Sequence, residues 1–410
     1  MSNASRRFFT PRDGAGLVFA QVSTHFLWIF PNEATIEGLQ RMTAFAQDVE
    51  AIKGKETVNV SNQLVEVARA TGKSPFSLAF DFLKLRRKSG KLKFYEYFLY
   101  ELYDRARWSD AEREEFVSAH IHWPMVNACN DAQWWALTED KWLSACFLEH
   151  NGVPTPTTLA VFDRSARQYG NTPKLTNGAD LKSFLTARGS SPVFAKPIGG
   201  MWSAGAMRIS THTDTHVIAD GHDPQTFDAF AESVLGEIPY IFQDCLKPHG
   251  FFDGITDAIA TVRCLNLIDD DQLSVPFAML KLPMAGNIAD NFWRPGNLLC
   301  NLDPETGEVK GLAAVENGRR VALDALPDSD RKLVGETLPF WDELRELNRK
   351  IAFLHAANHF GSTDIALTDD GPVAVEVNNG CAFELMQIAT GKGFLDSRMR
   401  AFFGKHNVKL

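Results

Sequence analysis

The stretch that most constrains the fold lies in the middle of the chain. Val193-Phe194-Ala195-Lys196-Pro197 is an apolar run with one lysine near its end, Ile198–Gly205 is rich in Gly, Ser and Ala, and strand-like alternation resumes from Ala206 to Ser210. This pattern predicts a strand, a flexible loop and a second strand. A lysine beside such a loop suits phosphate, because its ammonium is a point charge and unshielded backbone N–H groups close around oxyanions. The lysine precedes the loop, which is not the P-loop order. Taken alone, the stretch fits an ordinary hairpin with a solvated lysine equally well.

A second pattern near the carboxyl end predicts a hairpin that presents acidic side chains. Asp369-Asp370-Gly371 is a turn signal between two β-rich runs. Alternation places Glu376 and Asn378 on one face of the second run, and pairing across the turn brings Asp364 close to them. Mg²⁺ selects hard oxygen ligands of this kind, with nucleotide phosphates completing its coordination. The alternative is an exposed charged hairpin, but Glu376 lies in an otherwise apolar strand, where an unpaired carboxylate is costly.

Together the two stretches resemble the ATP-grasp superfamily, which combines a Lys-Pro strand and its mobile glycine loop with a late Asp, Glu-x-Asn metal set. Two further motifs carry the resemblance. Asp140-Lys141-Trp142, followed by Gly152-Val153-Pro154-Thr155-Pro156, looks like the lysine-bearing helix of the family and its exit. The run Tyr240–Leu246 looks like the strand that hydrogen-bonds adenine, with Gln243-Asp244 where Gln-Glu is usual.

A narrower similarity concerns the branch of sugar-transfer-associated ATP-grasp proteins, related to α-L-glutamate ligases. It rests on Ala260-Thr261-Val262-Arg263 and Ala289-Asp290-Asn291-Phe292, ahead of Asp303-Pro304-Glu305-Thr306-Gly307. The resemblance covers roughly residues 135–395. It implies an α+β fold in which two α/β subdomains clasp ATP behind a helical N-terminal domain. The implied domains are residues 1–135, mostly helical; 136–237, with the lysine helix and glycine loop; and 238–410, with the metal-binding hairpin.

The resemblance also implies an activity, that of an ATP-dependent ligase that joins a small-molecule carboxylate to an amine through an acyl phosphate, using ATP and Mg²⁺. The implied site residues are Asp364, Glu376 and Asn378 for the metal; Lys141, Lys196, Gly199, Gly200, Trp202, Ser203, Gly205, Gln243, Asp244 and Leu246 for the nucleotide; Arg263 and Lys196 for catalysis; and Arg263, Asn291 and Arg294 for the substrate. The family often places an arginine two residues before the first metal carboxylate. This chain has Ser362 there, which leaves that role open.

Other interpretations stay open at this stage. A phosphotransferase that stops at a phosphorylated product would use the same residues, and a nucleotide-binding protein without catalysis is less consistent with the intact acidic set. Lys141 is either a phosphate ligand or a surface lysine, and Arg263 is either a catalytic residue or a structural ion-pair partner. The acid, the amine and the oligomeric state are not indicated by the sequence.

Charge and cysteine usage exclude some classes of function. The net charge of −9 argues against nucleic acid as a general partner, since phosphate binding needs a surplus of Lys and Arg. The six cysteines include no Cys-x-x-Cys pair, so neither a zinc site nor a disulfide framework is predicted. We therefore expect a reducing cytoplasm, and we interpret Cys264 as a small buried hydrophobe. The apolar run at 17–31 is shorter than a membrane span and lacks a signal-peptide cleavage site.

Periodicity predicts the remaining elements. Helices are expected at 36–51, 61–71, 75–89, 94–107 and 110–120, from an N-cap at Thr138, from Pro339 as a first-turn proline, and from Phe383 to Thr390. Strands are expected at 240–246, 258–268, 273–283 and 309–316. The basic run at 84–93 is interpreted as a solvated turn between helices, in preference to a patch for a membrane surface or an acidic partner.

Overall fold

The computed structural model describes residues 60–200, 203–284, 286–327, 329 and 331–410. The helix predicted at 36–51 and the loop residue Trp202 lie outside the described residues. Two β-sheets and the helices packed on them form the α+β fold that the sequence predicts. Among the described helices, none is long and apolar enough to cross a membrane.

Helices make up the first described part of the chain. They are α1 (Val60–Thr71), α2 (Pro75–Arg86), α3 (Phe94–Leu99), α4 (Asp110–Arg113), α5 (His122–Asn127), α6 (Ala136–Glu139) and α7 (Lys141–His150), with 3₁₀ turns at Ala119–Ile121 and Ala132–Trp134. The predictions for α1 and α2 are confirmed, but two predicted helices are much shorter. The chain leaves α3 through Glu101, whose φ of 53° is left-handed and incompatible with a continuing helix. α4 likewise ends at Arg113.

A Gly-Lys-Ser triplet at residues 72–74 forms the junction between α1 and α2 and is not a phosphate loop. Gly72 has a φ of 66° just beyond α1, and the Ser74 hydroxyl accepts a hydrogen bond from the Ser77 N–H at 3.1 Å, which caps α2. The Lys73 ammonium donates to the Tyr103 carbonyl at 2.6 Å. All three residues are thus accounted for by local structure.

The first sheet follows α7 in the chain. Its strands are β1 (Thr158–Phe162), β2 (Lys174–Leu175), β3 (Val193–Pro197), β4 (Met207–His212), β5 (His216–Ala219), β6 (Gln225–Thr226) and β7 (Tyr240–Asp244), in the order β2-β1-β7-β3-β4-β5-β6. β3 and β4 are antiparallel, with Val193 opposite Ile209, so the predicted strand–loop–strand is confirmed. Apolar side chains of α8 (Gly178–Arg188), of α9 (Phe227–Ala229) and of the π-helical segment Phe230–Leu235 that continues α9 cover one face. Lys196 points to the opposite face, since strand side chains alternate.

The second sheet is antiparallel and carries the carboxyl-terminal hairpin. Its strands are β8 (Thr261–Asp269), β9 (Gln272–Ser274), β10 (Ala278–Leu282), β11 (Leu298–Leu302), β12 (Val309–Glu316), β13 (Arg319–Leu323), β14 (Phe360–Thr368) and β15 (Gly371–Asn378). The order is β13-β12-β11-β10-β8-β14-β15, and β9 pairs with β8. The single strand predicted at 273–283 is instead two strands, because Pro276 interrupts the run and has no N–H for a ladder.

One face of the second sheet packs on helix α10 (Trp341–Leu354). Leu344, Leu347 and Ile351 form the predicted apolar stripe against Val262, Leu280 and Ile365 of the sheet. The helix starts two residues later than predicted. Phe340, with a left-handed φ of 54°, is the N-cap, so Pro339 precedes the helix and does not occupy its first turn.

The opposite face of the second sheet, called here the shared face, has an apolar half and a polar half. The apolar half includes Leu265, Met279 and Phe360, and it forms one core with α2, α3, α5 and the carboxyl-terminal helices α11 (Phe383–Thr390) and α12 (Ser397–Lys405). α11 ends at Gly391, as predicted. Gln387 of α11 extends this core with bonds to the backbone of Val117 at 2.8 and 2.9 Å. The domain boundaries near residues 135 and 237 stay a prediction.

Candidate functional site

The polar half of the shared face collects charged side chains from neighbouring strands. In the register of the sheet, Arg263 of β8 lies opposite Asp364 of β14, and Asp364 lies opposite Glu376 of β15. Asn378 lies opposite Ser362 and therefore on the same face, two residues along. The hairpin geometry predicted from the sequence is thus confirmed. Cations from α7 and β3 face this polar half.

Lys196 of β3 is a buried cation with little compensation. Its residue is 8 % exposed, and within the described part of the chain its ammonium makes one hydrogen bond, to the Val375 carbonyl at 3.4 Å, and no ion pair. Burial, the largest effect, and the charge of Lys141 lower the pKa of Lys196 to about 8, against the attraction of Glu376. An ammonium desolvated in this way is suited to receive an anion.

Helix α7 begins at Lys141, but not with the predicted cap. Asp140 is the N-cap, and its carboxylate accepts a hydrogen bond from the Leu143 N–H at 2.9 Å. Thr138 lies in the short preceding helix α6, where its hydroxyl donates to the Trp135 carbonyl at 3.0 Å. The carboxylate at Asp140 complements the positive end of the helix dipole, so Asp140 displaces Thr138 as the cap.

Lys141 joins the two sheets. Its backbone N–H donates to the Ile198 carbonyl at 3.0 Å, which fixes the start of α7 at the end of β3. Its ammonium donates to the Gly200 carbonyl at 2.7 Å and lies 3.2 Å from a carboxylate oxygen of Glu376. The side chain is 14 % exposed, so Lys141 is not the solvated surface lysine of the alternative interpretation.

The glycine loop lies beside these lysines. Its described residues with positive φ are Gly200 at 117°, Ser203 at 54° and Gly205 at 71°, so the backbone turns repeatedly in a region that favours glycine. A Cβ on Gly199 would meet no described atom within 4 Å. Gly199, Gly200, Ser203 and Gly205 are therefore placed where the sequence predicts.

Arg263 and Asp364 form a two-bond ion pair. Asp364 accepts from Nε of Arg263 at 2.7 Å and from Nη2 at 2.6 Å, and its carboxylate is 3.0 Å from the ammonium of Lys281. Burial alone would raise the pKa of Asp364, but Arg263 and Lys281 outweigh it and hold this pKa well below its usual range. Burial would lower the pKa of Arg263, but Asp364 raises it. Both groups are therefore ionised.

Lys281 is a site residue that the sequence reasoning missed. It is 6 % exposed, and its ammonium bridges Asp364 at 3.0 Å and Asp290 at 2.9 Å. Asp290 also accepts a hydrogen bond from the Thr261 hydroxyl. A signal was present: Lys281 is the lone charge in the apolar run Ala278–Leu282, the same feature that singled out Glu376.

Asn297, also missed, shapes the loop that carries Asn291 and Arg294. Its amide nitrogen donates to the carbonyls of Ala289 at 2.9 Å and Asn291 at 2.7 Å, and its amide oxygen accepts from the Met284 N–H at 3.0 Å. No pattern in the sequence distinguishes this asparagine from others in loops, because its role depends on distant backbone groups.

The two predicted substrate residues lie at different depths. Asn291 is 8 % exposed, and its side-chain oxygen accepts from the Trp293 N–H at 3.1 Å, so part of its amide serves the loop itself. Arg294 reaches across to the glycine loop and donates to the Ser203 carbonyl at 3.5 Å. This contact links a loop of the second sheet to the loop of the first.

The predicted metal set fits only in part. Both oxygens of Asp364 already accept N–H groups, so Asp364 does not offer the free carboxylate that was predicted; among the described residues no group of three His, Cys, Asp or Glu is arranged to hold a metal. Glu376 fits better. Its side chain is 28 % exposed, and Lys141 and Lys196 outweigh the effect of burial and lower its pKa. The Asn378 amide nitrogen is buried with no partner among the described residues, but it is a hydrogen-bond donor, so a metal role for Asn378 would rest on its amide oxygen. Two protein ligands are enough for a Mg²⁺ ion whose other ligands are nucleotide phosphates and water.

Strand β7 places the predicted adenine residues at the other side of β3. Gln243 is buried and donates to the Pro156 carbonyl at 3.3 Å, whereas Asp244 pairs with Arg188. Leu246 is partly buried just beyond the strand. Gln243 and Asp244 thus have structural partners. In the register, Gln243 lies opposite Phe194 and so on the same face of the first sheet as Lys196, whereas Asp244 lies opposite Val193 and on the other face.

Cys264 is buried on the face covered by α10, as interpreted from the sequence. Burial is the main reason that the pKa of its thiol rises to about 12, so the thiolate is not populated near neutral pH. A nucleophilic role is therefore excluded by its environment.

The family follows from a comparison with known proteins. Residues 124–402 match the family described as sugar-transfer associated ATP-grasp, and this range is more than half of the chain. The chain belongs to that family. The ATP-grasp resemblance stated from the sequence is thereby confirmed, over nearly the same residues. No curated protein matches the chain.

Two solved structures are similar to part of this chain. The VanG D-Ala:D-Ser ligase from Enterococcus faecalis is 15 % identical, with 68 % of this chain and 64 % of that chain covered and a TM-score of 0.39. D-alanyl-alanine synthetase A from Vibrio cholerae O1 biovar eltor str. N16961 is 14 % identical, with 67 % and 62 % covered and a TM-score of 0.34. Each match thus spans less than two thirds of the length of the solved structure.

Proposed function

We propose that this ATP-grasp protein is an ATP-dependent ligase that joins a carboxylate to an amine through an acyl phosphate. The observation that carries the proposal is the buried ammonium of Lys196, which forms no ion pair with the described residues and lies beside the glycine loop, within the electrostatic influence of Glu376. Such a cation is costly without a partner, and a nucleotide phosphate is the anion that the family name implies.

Each residue then has a task in phosphoryl transfer. Lys196 and Lys141 bind the phosphates, and the loop 198–206 covers them and keeps water from the reacting groups. Arg263 is fixed in one orientation by Asp364, which leaves its other N–H groups for the γ-phosphate or the incoming carboxylate. Fixed cations are effective here because they need no reorganisation as charge develops on the phosphoryl group.

In this proposal Asp364 is a positioning residue for Arg263 and Lys281, and protein oxygens for Mg²⁺ come from Glu376 and Asn378. Magnesium bound with the nucleotide supplies further neutralisation of phosphate charge. Asn291 and Arg294 are assigned to substrate contact because their loop borders both Lys281 and the glycine loop. We also retain the nucleotide role of Gln243, Asp244 and Leu246, and a cytoplasmic location, as parts of the proposal.

The chemistry makes a labelling prediction. A carboxylate oxygen attacks the γ-phosphorus and ADP leaves; the amine nitrogen then attacks the acyl carbon and the carbon–oxygen bond to phosphate breaks. One carboxylate oxygen must therefore leave in inorganic phosphate. Substrate labelled with ¹⁸O in its carboxylate should give labelled phosphate in step with amide formation.

The experiment begins with a screen of amino acids and sugar acids, with amines, for dependent release of ADP, followed by the labelling. Unlabelled phosphate alongside amide would exclude the acyl phosphate. A stable phosphorylated product without phosphate release would indicate a kinase, and no dependent ADP release with retained ATP binding would indicate a nucleotide-binding protein. Lys196→Ala should weaken ATP binding severely in titration calorimetry, whereas Lys310→Ala, at an exposed lysine of β12, should not.

A further inference from the structure

Helix α2 has two apolar faces, of which one has no partner among the described residues. Leu78, Phe82 and Leu85 are buried in the core. Phe76, Phe80 and Leu83 are exposed by 87, 61 and 47 %. At roughly 100° per residue, the exposed three fall within about 60° of one another and lie opposite the buried three. Exposed phenylalanines at this spacing form a stripe, which differs from the scattered apolar residues of ordinary surfaces.

A dense group of cations borders this stripe. Six exposed basic residues lie within ten positions, and no acidic residue interrupts them: Lys84, Arg86, Arg87, Lys88, Lys91 and Lys93. The ammonium of Lys84 lies 4.7 Å from the centre of the Phe80 ring. One of the six forms an ion pair: the Lys88 ammonium lies 2.8 Å from the Glu114 carboxylate. This basic patch belongs to a chain with a net charge of −9, so its positive potential is local.

Part of the basic patch forms a cleft. Arg86, Lys91 and Lys93 line it together with His120 and Leu92, around a volume of about 370 Å³. Burial is the main reason that the pKa of His120 is lowered, and the charges of Lys93 and Arg86 lower it further, because both cations lie near its ring. A concave site lined by several donors without a carboxylate suits a phosphate group.

We propose that α2 and this cleft dock on the surface of a bilayer that contains anionic lipids. The stripe of Phe76, Phe80 and Leu83 enters the boundary between headgroups and acyl chains, and the cations bind lipid phosphates. Interfacial helices use this combination of an apolar face and Lys/Arg borders. Protein–protein interfaces are depleted of lysine, whereas four of the six cations here are lysines, which favours a lipid surface over an acidic protein.

The test is co-sedimentation of the full chain with vesicles. We expect binding to vesicles of phosphatidylcholine with phosphatidylglycerol, weakening as salt increases, and much less binding to phosphatidylcholine alone. Phe76→Ser combined with Phe80→Ser should lower binding roughly tenfold or more, because two exposed aromatic rings lose their apolar surface. Lys91→Glu combined with Lys93→Glu should lower binding and reduce its dependence on salt.

Phe353→Ser is the matched control. Phe353 is also an exposed phenylalanine, 39 % accessible, with the Arg349 guanidinium 5.5 Å from its ring centre, but it lies on α10. This variant should bind as the wild type does, and all variants should keep the wild-type melting temperature. If the wild type does not bind to the vesicles, the proposal is wrong. That result is expected if residues 1–59 or an acidic protein cover the stripe. Unchanged binding of the Phe76/Phe80 variant, or equal loss with Phe353→Ser, would overturn it too.

Discussion

The buried ammonium of Lys196 predicts a specific dependence of stability on pH. Its pKa is about 8 in the folded protein, against an ordinary value of 10.5 for a lysine. Below pH 8 both the folded and the unfolded state carry the proton, and the folded state bears the full cost of burying the charge. Between the two pKa values the unfolded state binds more protons than the folded state, so the free energy of unfolding rises with pH.

The folded and unfolded pKa values of Lys196 differ by about 2.5, and a difference of one pKa unit corresponds to about 1.36 kcal/mol. The wild type should therefore gain about 3 kcal/mol relative to Lys196→Met between pH 8 and pH 10.5. Methionine keeps an unbranched apolar stem and removes the charge, so groups that titrate elsewhere cancel in the comparison. At neutral pH, Lys196→Met should be the more stable protein, because it lacks the buried charge.

Urea unfolding of both proteins at several pH values measures this difference, and Lys310→Met serves as the exposed control. Parallel stability curves for the wild type and Lys196→Met would refute the reasoning, since they would mean that the ammonium is not desolvated. A linked effect concerns the ligand. A bound phosphate favours the protonated lysine, so ATP binding above pH 8 should take up a proton in the wild type and not in Lys196→Met. Titration calorimetry in buffers of different ionisation enthalpy detects that proton.

Three further predictions concern the charged face. Glu376→Gln should abolish turnover and reduce the dependence on Mg²⁺, because the neutral amide neutralises less metal charge; wild-type turnover would place the metal elsewhere. Asp364→Asn should destabilise the fold by roughly 3–5 kcal/mol in urea unfolding, since Arg263 loses its buried counter-charge, and an effect below 1 kcal/mol would contradict that role. Asn297→Ala should cost about 1–3 kcal/mol by leaving buried backbone groups unpaired, and substrate KM should rise more than kcat falls.

Local pattern was sufficient for the parts of the fold that depend on neighbours in sequence. The β3–loop–β4 unit and the β14–β15 hairpin were both predictable, because alternation and turn residues determine them. The boundaries of the helices were less predictable from local pattern. Asp140 and Thr138 are both good caps by residue type, and the contact of Lys141 with Ile198, together with the Asp140 carboxylate, fixes where α7 starts.

The partners of the charged residues were not predictable from spacing. The sequence predicts Asp364 as a metal ligand because the hairpin pattern indicates its position beside Glu376 and does not indicate its other partners. In the structure the Asp364 carboxylate forms ion pairs with Arg263 and Lys281, which lie on strands far earlier in the chain. Long-range register decides such pairings, and a single sequence without other observations does not contain it.

The shared face has a consequence for how this protein can be divided. Leu265, Met279 and Phe360 of the large sheet are covered by helices from the first third of the chain, on the same surface that carries Arg263 and Asp364. A recombinant fragment that starts near residue 136 would therefore expose the apolar half of the shared face to solvent and should aggregate. We therefore expect the predicted boundary near residue 135, which lies among helices and ahead of the first strand at Thr158–Phe162, to be a poor place to divide the chain. Domain exchange between relatives would have to carry the helical segment and the large sheet together.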